Sequence, residues 1–112
     1  MAFVAMAIPI SPRKTEQWKK FVAELNGPRR AEFVASRKRL GIHERTFLQH
    51  TPQGDLVLVT IEGNDPAKAF TDFFKSTDPF AKWFLQQVQE IHGMDLRTPP
   101  GPFPEMVVDT NA

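Results

Sequence analysis

Ten prolines in a chain of 112 residues limit what it can fold into more than any other feature. Each proline removes a backbone donor and ends or kinks a helix, so no regular element can run far. Between them the pieces are short. Phe3-Val4-Ala5-Met6-Ala7-Ile8 is an apolar, β-forming run stopped by Pro9 and predicts a first strand. Ser11-Pro12 has the form of a helix N-cap followed by proline at the first helical position. Trp18, Phe21, Val22 and Leu25 then fall at the i, i+3, i+4, i+7 spacing of one helical face. Asn26-Gly27-Pro28 breaks the pattern, which resumes with Phe33, Arg37 and Leu40 and stops at Gly41, a natural C-cap.

Two strands are expected over residues 43–51 and 56–62, joined by the turn sequence Pro52-Gln53-Gly54-Asp55. Asp65-Pro66 opens a second helical region. Its apolar positions are Phe70, Phe73, Phe74, Phe80, Trp83, Phe84, Val88 and Ile91, with a break at Thr77-Asp78-Pro79 and an end at His92-Gly93. Residues 98–104 hold four prolines and read as an irregular connection to a last strand over residues 105–110. The length suits a single domain spanning 1–112. The order is β-α-β-β-α-β, a ferredoxin-like α+β arrangement with one antiparallel sheet and two kinked helices on one face. The other sheet face is left bare and needs a cover.

The absence of cysteine excludes disulfide frameworks, thiolate nucleophiles and Cys-ligated metals. The first ten residues lack a basic leader and meet Pro9, so they read poorly as a signal peptide. No run reaches the roughly 20 apolar residues of a membrane span. The expectation is a cytoplasmic protein with no membrane partner. His43 and His50 are seven apart, which points them to opposite faces of an unbroken strand, so no metal site is expected. The third strand carries no aromatic residue for stacking on bases, so no nucleic-acid partner is expected either. From Arg13 to Arg45 ten basic residues face four acidic ones, a net of +6, while the rest of the chain carries four against nine, a net of −5.

Alternation sorts the hairpin into two faces, because side chains repeat every second residue. Pairing His50 with Leu56 sets Leu48 opposite Leu58, Thr46 opposite Thr60 and Glu44 opposite Glu62 on one face. Phe47, Val57, Val59 and Ile61 share the other, which is assigned to the helices. Two carboxylates held close raise one pKa and make a general acid or base, so Glu44 and Glu62 are candidate catalytic residues. His50 is a third, as the imidazole on that face. Arg37, on an apolar stripe, is placed to hold a carboxylate or phenolate or to pair with Glu44 or Glu62. Trp83, among Phe80, Phe84 and Ile91, is core or pocket wall.

With this order of elements the chain resembles the dimeric α/β-barrel superfamily, which includes antibiotic-biosynthesis-monooxygenase-like proteins. The resemblance covers about the whole chain and is carried by its length, its element order and its aromatic second helical region. It implies a homodimer in which two bare sheet faces close a barrel around a small molecule. The expected ligand-binding residues are Arg37, Thr46, Leu48, Leu58, Thr60 and Trp83. The implied function is binding of a small aromatic or apolar ligand, with a monooxygenase-like enzyme acting on a phenol or quinol as the alternative. Neither reading needs a cofactor. The superfamily's haem-degrading branch uses an Asn, a Trp and a His; Trp83 and His92 match the last two in order, but the first strand has no Asn, which argues against haem cleavage.

Overall fold

The structure, a computed structural model, describes residues 2–94 and 103–111. Three strands and four helices follow one another as β1 (Ala2–Pro9), α1 (Thr15–Asn26), α2 (Arg30–Leu40), β2 (Ile42–Thr51), β3 (Gly54–Gly63), α3 (Pro66–Lys75) and α4 (Pro79–His92). The sheet order is β1-β3-β2, with β3 antiparallel to both neighbours. The crossover through α1 and α2 therefore joins two parallel strands that β3 separates, a split βαβ unit.

Local punctuation sets most boundaries. Asp65 accepts a hydrogen bond from the Lys68 amide at 3.1 Å, and Asp78 accepts from Phe80 and Ala81 at 3.1 and 3.3 Å. Each is followed by a proline at the first helical position, which supplies the fixed φ without sacrificing a needed donor. Gly41 and Gly93 end α2 and α4 in the left-handed region, at φ 70° and 67°. The expected breaks at 26–28 and 77–79 separate α1 from α2 and α3 from α4.

At the first helix the expectation fails. Ser11-Pro12 does not cap α1, which begins at Thr15 with no side-chain cap on Lys14. The cause is long-range: the Ile10 amide donates to Asp55 O at 2.9 Å and the Ser11 amide to Ile91 O at 3.0 Å. The chain stays tied to the sheet and to α4 through Ser11, then turns through Arg13 at φ 70° before the helix can start.

The hairpin is one residue tighter than expected. Thr51 pairs with Gly54 across a two-residue turn, so His50 lies opposite Asp55 rather than Leu56. The Thr51 hydroxyl donates to Gly54 O at 2.5 Å and accepts from the Gln53 amide at 3.2 Å, and Gly54 takes φ 131°, which other residues rarely adopt. This slip moves every β2 side chain to the other face. Glu44, Thr46 and Leu48 join Ile61, Val59 and Val57 on the helix side. Phe47 goes to the bare side, where it is 52% exposed, beside Leu58, and Phe3 on the same face is 49% exposed.

The expected last strand is absent. Residues 103–109 carry no regular structure, and Met106, Val107 and Val108 are exposed. The Phe103 ring docks edge-on against Phe70 of α3 at 5.3 Å, so this end of the segment lies against the helix layer. Most of the proline-rich connection at 98–104 lies outside the described residues.

Helices cover one sheet face. Trp18, Phe21 and Leu25 of α1 form a core with Val57, Phe80 and Ile91, and Phe73, Ala81 and Leu85 form a second cluster. At the opposite end of the sheet, a Cβ added to Gly63 would lie 2.5 Å from Gly41 O. The β3 terminus and the α2–β2 junction thus touch backbone to backbone. Gly63→Ala should destabilise the protein by about 1–3 kcal/mol through this overlap, measured as a lowered urea midpoint, whereas an unchanged midpoint would mean the two segments separate freely.

Candidate functional site

Between the helix layer and the sheet lies a cavity of about 610 Å³. Its wall is mainly apolar and aromatic, with Phe33 from α2, Phe70 and Phe73 from α3, Phe84 from α4, and Met6 and Val59 from the sheet. The polar residues in the wall are Arg37, Glu44, Thr46 and His92, with Asn26 and Arg30 at its exposed margin.

Two of them form a buried ion pair. Phe33, Arg37 and Leu40 share a stripe of α2 that faces the cavity, which brings the guanidinium inside. Arg37 Nε donates to Glu44 Oε1 at 2.9 Å, and Nη1 donates to the buried Ser36 Oγ at 3.1 Å. The two side chains are only 11% and 8% exposed. The guanidinium carbon also lies 4.7, 4.5 and 4.8 Å from the ring centres of Phe33, Phe73 and Phe84, a cage of π faces that stabilises a cation taken out of water. Thr46 Oγ1 stands 3.5 Å from Glu44 Oε2. Among the described residues, Glu44 and Ser36 are the hydrogen-bond partners of Arg37, so part of its five-donor fork is left over.

Another is His92, the last residue of α4. Its Nδ1 lies 2.8 Å from Pro9 O. A carbonyl can only accept, so Nδ1 carries the proton. Burial pushes the imidazole below the usual histidine range, and the Pro9 bond opposes this less strongly. The ring is therefore neutral near pH 7. His92 and the ion pair sit at opposite corners of the helix-covered face. Glu44 lies level with Ile61 and Val4, while His92 is tied to Pro9, about 17 Å further along β1 at strand rise.

The structure separates the remaining sequence candidates. Glu62 lies on the bare face with His43 and Arg45, each 3.1 Å away, so it does not share a site with Glu44. Leu58 and Thr60 are on that face too. His50 is 67% exposed beside Asp55 at 2.7 Å; hydrogen bonds from Thr15, at 2.6 Å, and from His50 hold Asp55 below the usual carboxylate range. Leu48 packs into the core. Trp83 packs on Phe21 and Phe80 with the Arg29 guanidinium 4.1 Å over its ring, outside the cavity wall. Arg37, Glu44 and Thr46 are brought together. The sequence offered His92 only as the end of the second helical region and as a match in order to the His of the haem-degrading branch; its place in the cavity wall and its bond to Pro9, which spans 83 residues, have no local signal. Among the described residues no group of three His, Asp or Glu could hold a metal, and no helix is long and apolar enough to cross a membrane.

No protein-family model matches the chain, and no curated protein matches it.

Removing one partner of a buried pair strands the other charge. Arg37→Leu alone should cost about 3–5 kcal/mol, and the double variant Arg37→Leu/Glu44→Leu should recover most of it in urea unfolding. Additive losses in that cycle would show that the two side chains do not interact. His92 gives a pH dependence whose sign is fixed. The unfolded chain takes up a proton near the ordinary histidine pKa of about 6.5, and the folded state resists it. Stability should therefore fall as pH drops from neutrality through that value, and His92→Gln should flatten this part of a melting-temperature profile. An equally steep profile in the variant would place the acid lability elsewhere.

Proposed function

We propose that the protein binds a small aromatic or apolar molecule in the cavity between its helices and its sheet. The observation that carries this reading is a large cavity walled by phenylalanine rings with a single ion pair set into it. The site lies on the opposite side of the sheet from the barrel interior that the family resemblance implies. Arg37 and Glu44 already neutralise each other, so a ligand carboxylate at that buried end would add a net charge at a desolvation cost, while Arg30 stands at the exposed margin of the wall. An uncharged ligand with a carbonyl or hydroxyl at that end fits better: a carbonyl accepts from the guanidinium, and a hydroxyl donates to Glu44. The bare face, with Phe3, Phe47 and Leu58, is the surface for a second copy of the chain, because an exposed apolar sheet face favours association. A monooxygenase working on a phenol or quinol without a cofactor is the second reading, favoured by the neutral imidazole in the cavity wall and tested by dioxygen uptake with a hydroquinone.

N-phenyl-1-naphthylamine, an uncharged fluorescent probe, should bind once per chain. Val88→Trp, which fills the cavity from α4, should weaken that binding at least about tenfold with little change in the urea midpoint. Sedimentation of the same samples should give a dimer at micromolar concentration. Absence of probe binding, or binding indifferent to Val88→Trp, would remove the cavity as the site, and a monomer would remove the second copy.

A further inference from the structure

We propose that His92 is a second hydrogen-bond acceptor of the cavity: its Nε2 receives the O–H of a hydroxyl group carried by the bound aromatic molecule, at the end remote from the Arg37–Glu44 pair. The inference rests on the reading of the cavity as a ligand site and adds to it a second polar contact with a defined sense, acceptor rather than donor.

The argument begins with the acceptor that orients the ring. Pro9 O belongs to a segment held on both sides. Pro9 pairs with Leu56 in the sheet, and the next two amides are bonded to Asp55 O and Ile91 O at 2.9 and 3.0 Å. Gly93 packs against the same segment, since a Cβ there would lie 3.2 Å from Ser11 Oγ. The carbonyl that receives Nδ1–H is thus fixed in place, and the ring with it. A neutral imidazole has one N–H. With that proton committed to Pro9, Nε2 presents a lone pair, and among the described residues nothing bonds to it. The facing segment Pro9-Ile10-Ser11 bears no charge, so nothing there favours the doubly protonated ring, and burial disfavours it further. His92 is part of the cavity wall.

The rest of the wall near this end is apolar, with Ile8, Trp18 and Val88. An aromatic body packs there without penalty. A hydroxyl on it needs an acceptor, because an unmade hydrogen bond in an apolar site costs more than the bond itself contributes. A ligand lacking the hydroxyl leaves Nε2 unpaired. His92 thereby discriminates between an aromatic alcohol and its ether, which the phenylalanine wall alone cannot do.

The experiment compares 2-naphthol with 2-methoxynaphthalene as competitors of N-phenyl-1-naphthylamine on the intact protein near neutral pH. 2-Naphthol is expected to compete about tenfold more tightly, the effect of one added hydrogen bond. In His92→Phe the preference should fall to near unity while the ether binds as before. A long-range ¹H–¹⁵N spectrum of the wild type should show the Nδ1–H tautomer, with Nε2 shifting on addition of the naphthol and not of the ether. Equal affinity for the two naphthalenes in the wild type would overturn the role of His92 while leaving the cavity site standing. Failure of the probe and of both naphthalenes to bind would overturn the site and this inference together. A His92-dependent shift of the Soret band of added haemin would assign Nε2 to a metal instead and overturn it.

Discussion

The pairing of Thr51 with Gly54 fixes the chemistry of the cavity. Side chains alternate along a strand with a period of two, so a turn longer by one pairing would exchange the two faces of β2 entirely. Glu44 and Thr46 would then face away from the helices. Arg45 and Phe47 would enter the layer that α2 covers, and Arg37 would meet another cation instead of a carboxylate. The short turn needs a glycine able to reach φ 131° and a hydroxyl at Thr51 to close it. A local backbone requirement thus decides which charge stands under a helix some ten residues earlier in the chain.

Given that register, the cavity and the ion pair depend on each other. A cation on an apolar stripe cannot stay solvated if the stripe packs fully, and it cannot be buried alone. Glu44 and Ser36 supply hydrogen bonds, and three phenylalanine faces replace part of the lost hydration. This arrangement holds α2 away from simple side-chain interdigitation with β2. The helices are also short and split by Asn26-Gly27-Pro28 and by Thr77-Asp78-Pro79, so their axes need not follow one line across the sheet. An unfilled volume between the layers is the geometric result.

The sequence was legible wherever a boundary is set by groups close in the chain. The Asp-Pro cap at Asp65, the glycine stops at Gly41 and Gly93, and both helix breaks rest on hydrogen bonds and dihedrals within a few residues. The faces of β3 were legible too, because Val57, Val59 and Ile61 are the more uniformly apolar set, and they are the covered one. Legibility ended where a distant partner intervened. Ser11-Pro12 has every mark of a cap, yet the Ser11 amide is spent on Ile91. Pro52-Gln53-Gly54-Asp55 admits two closures, and only one matches the helix side of β2 to its cover. Met106-Val107-Val108 is strand-like in composition, but Phe103 is held against Phe70 of α3, and the segment that follows pairs with neither open edge of the sheet. Of the candidate site, Arg37 with Glu44 was visible as one of several pairings; His92 was visible as a residue, but its bond to Pro9 and its place in the cavity were not.

β2 carries both proposed functions on alternate residues. Glu44 and Thr46 face the cavity, while Arg45 and Phe47 face outward, and Arg45 is anchored to Glu62 of β3 at 3.1 Å. As an edge strand, β2 is tied to the sheet on one side only and has the ladder to β3 as its main restraint. A molecule bound under it through Glu44 and a second copy packed on it through Phe47 would both restrict the motion of the same ten residues. Two binding events that each order one element favour one another even without a change of shape, and the coupling acts equally in both directions. The alternation that separates the two surfaces chemically thus places them one residue apart along a single strand.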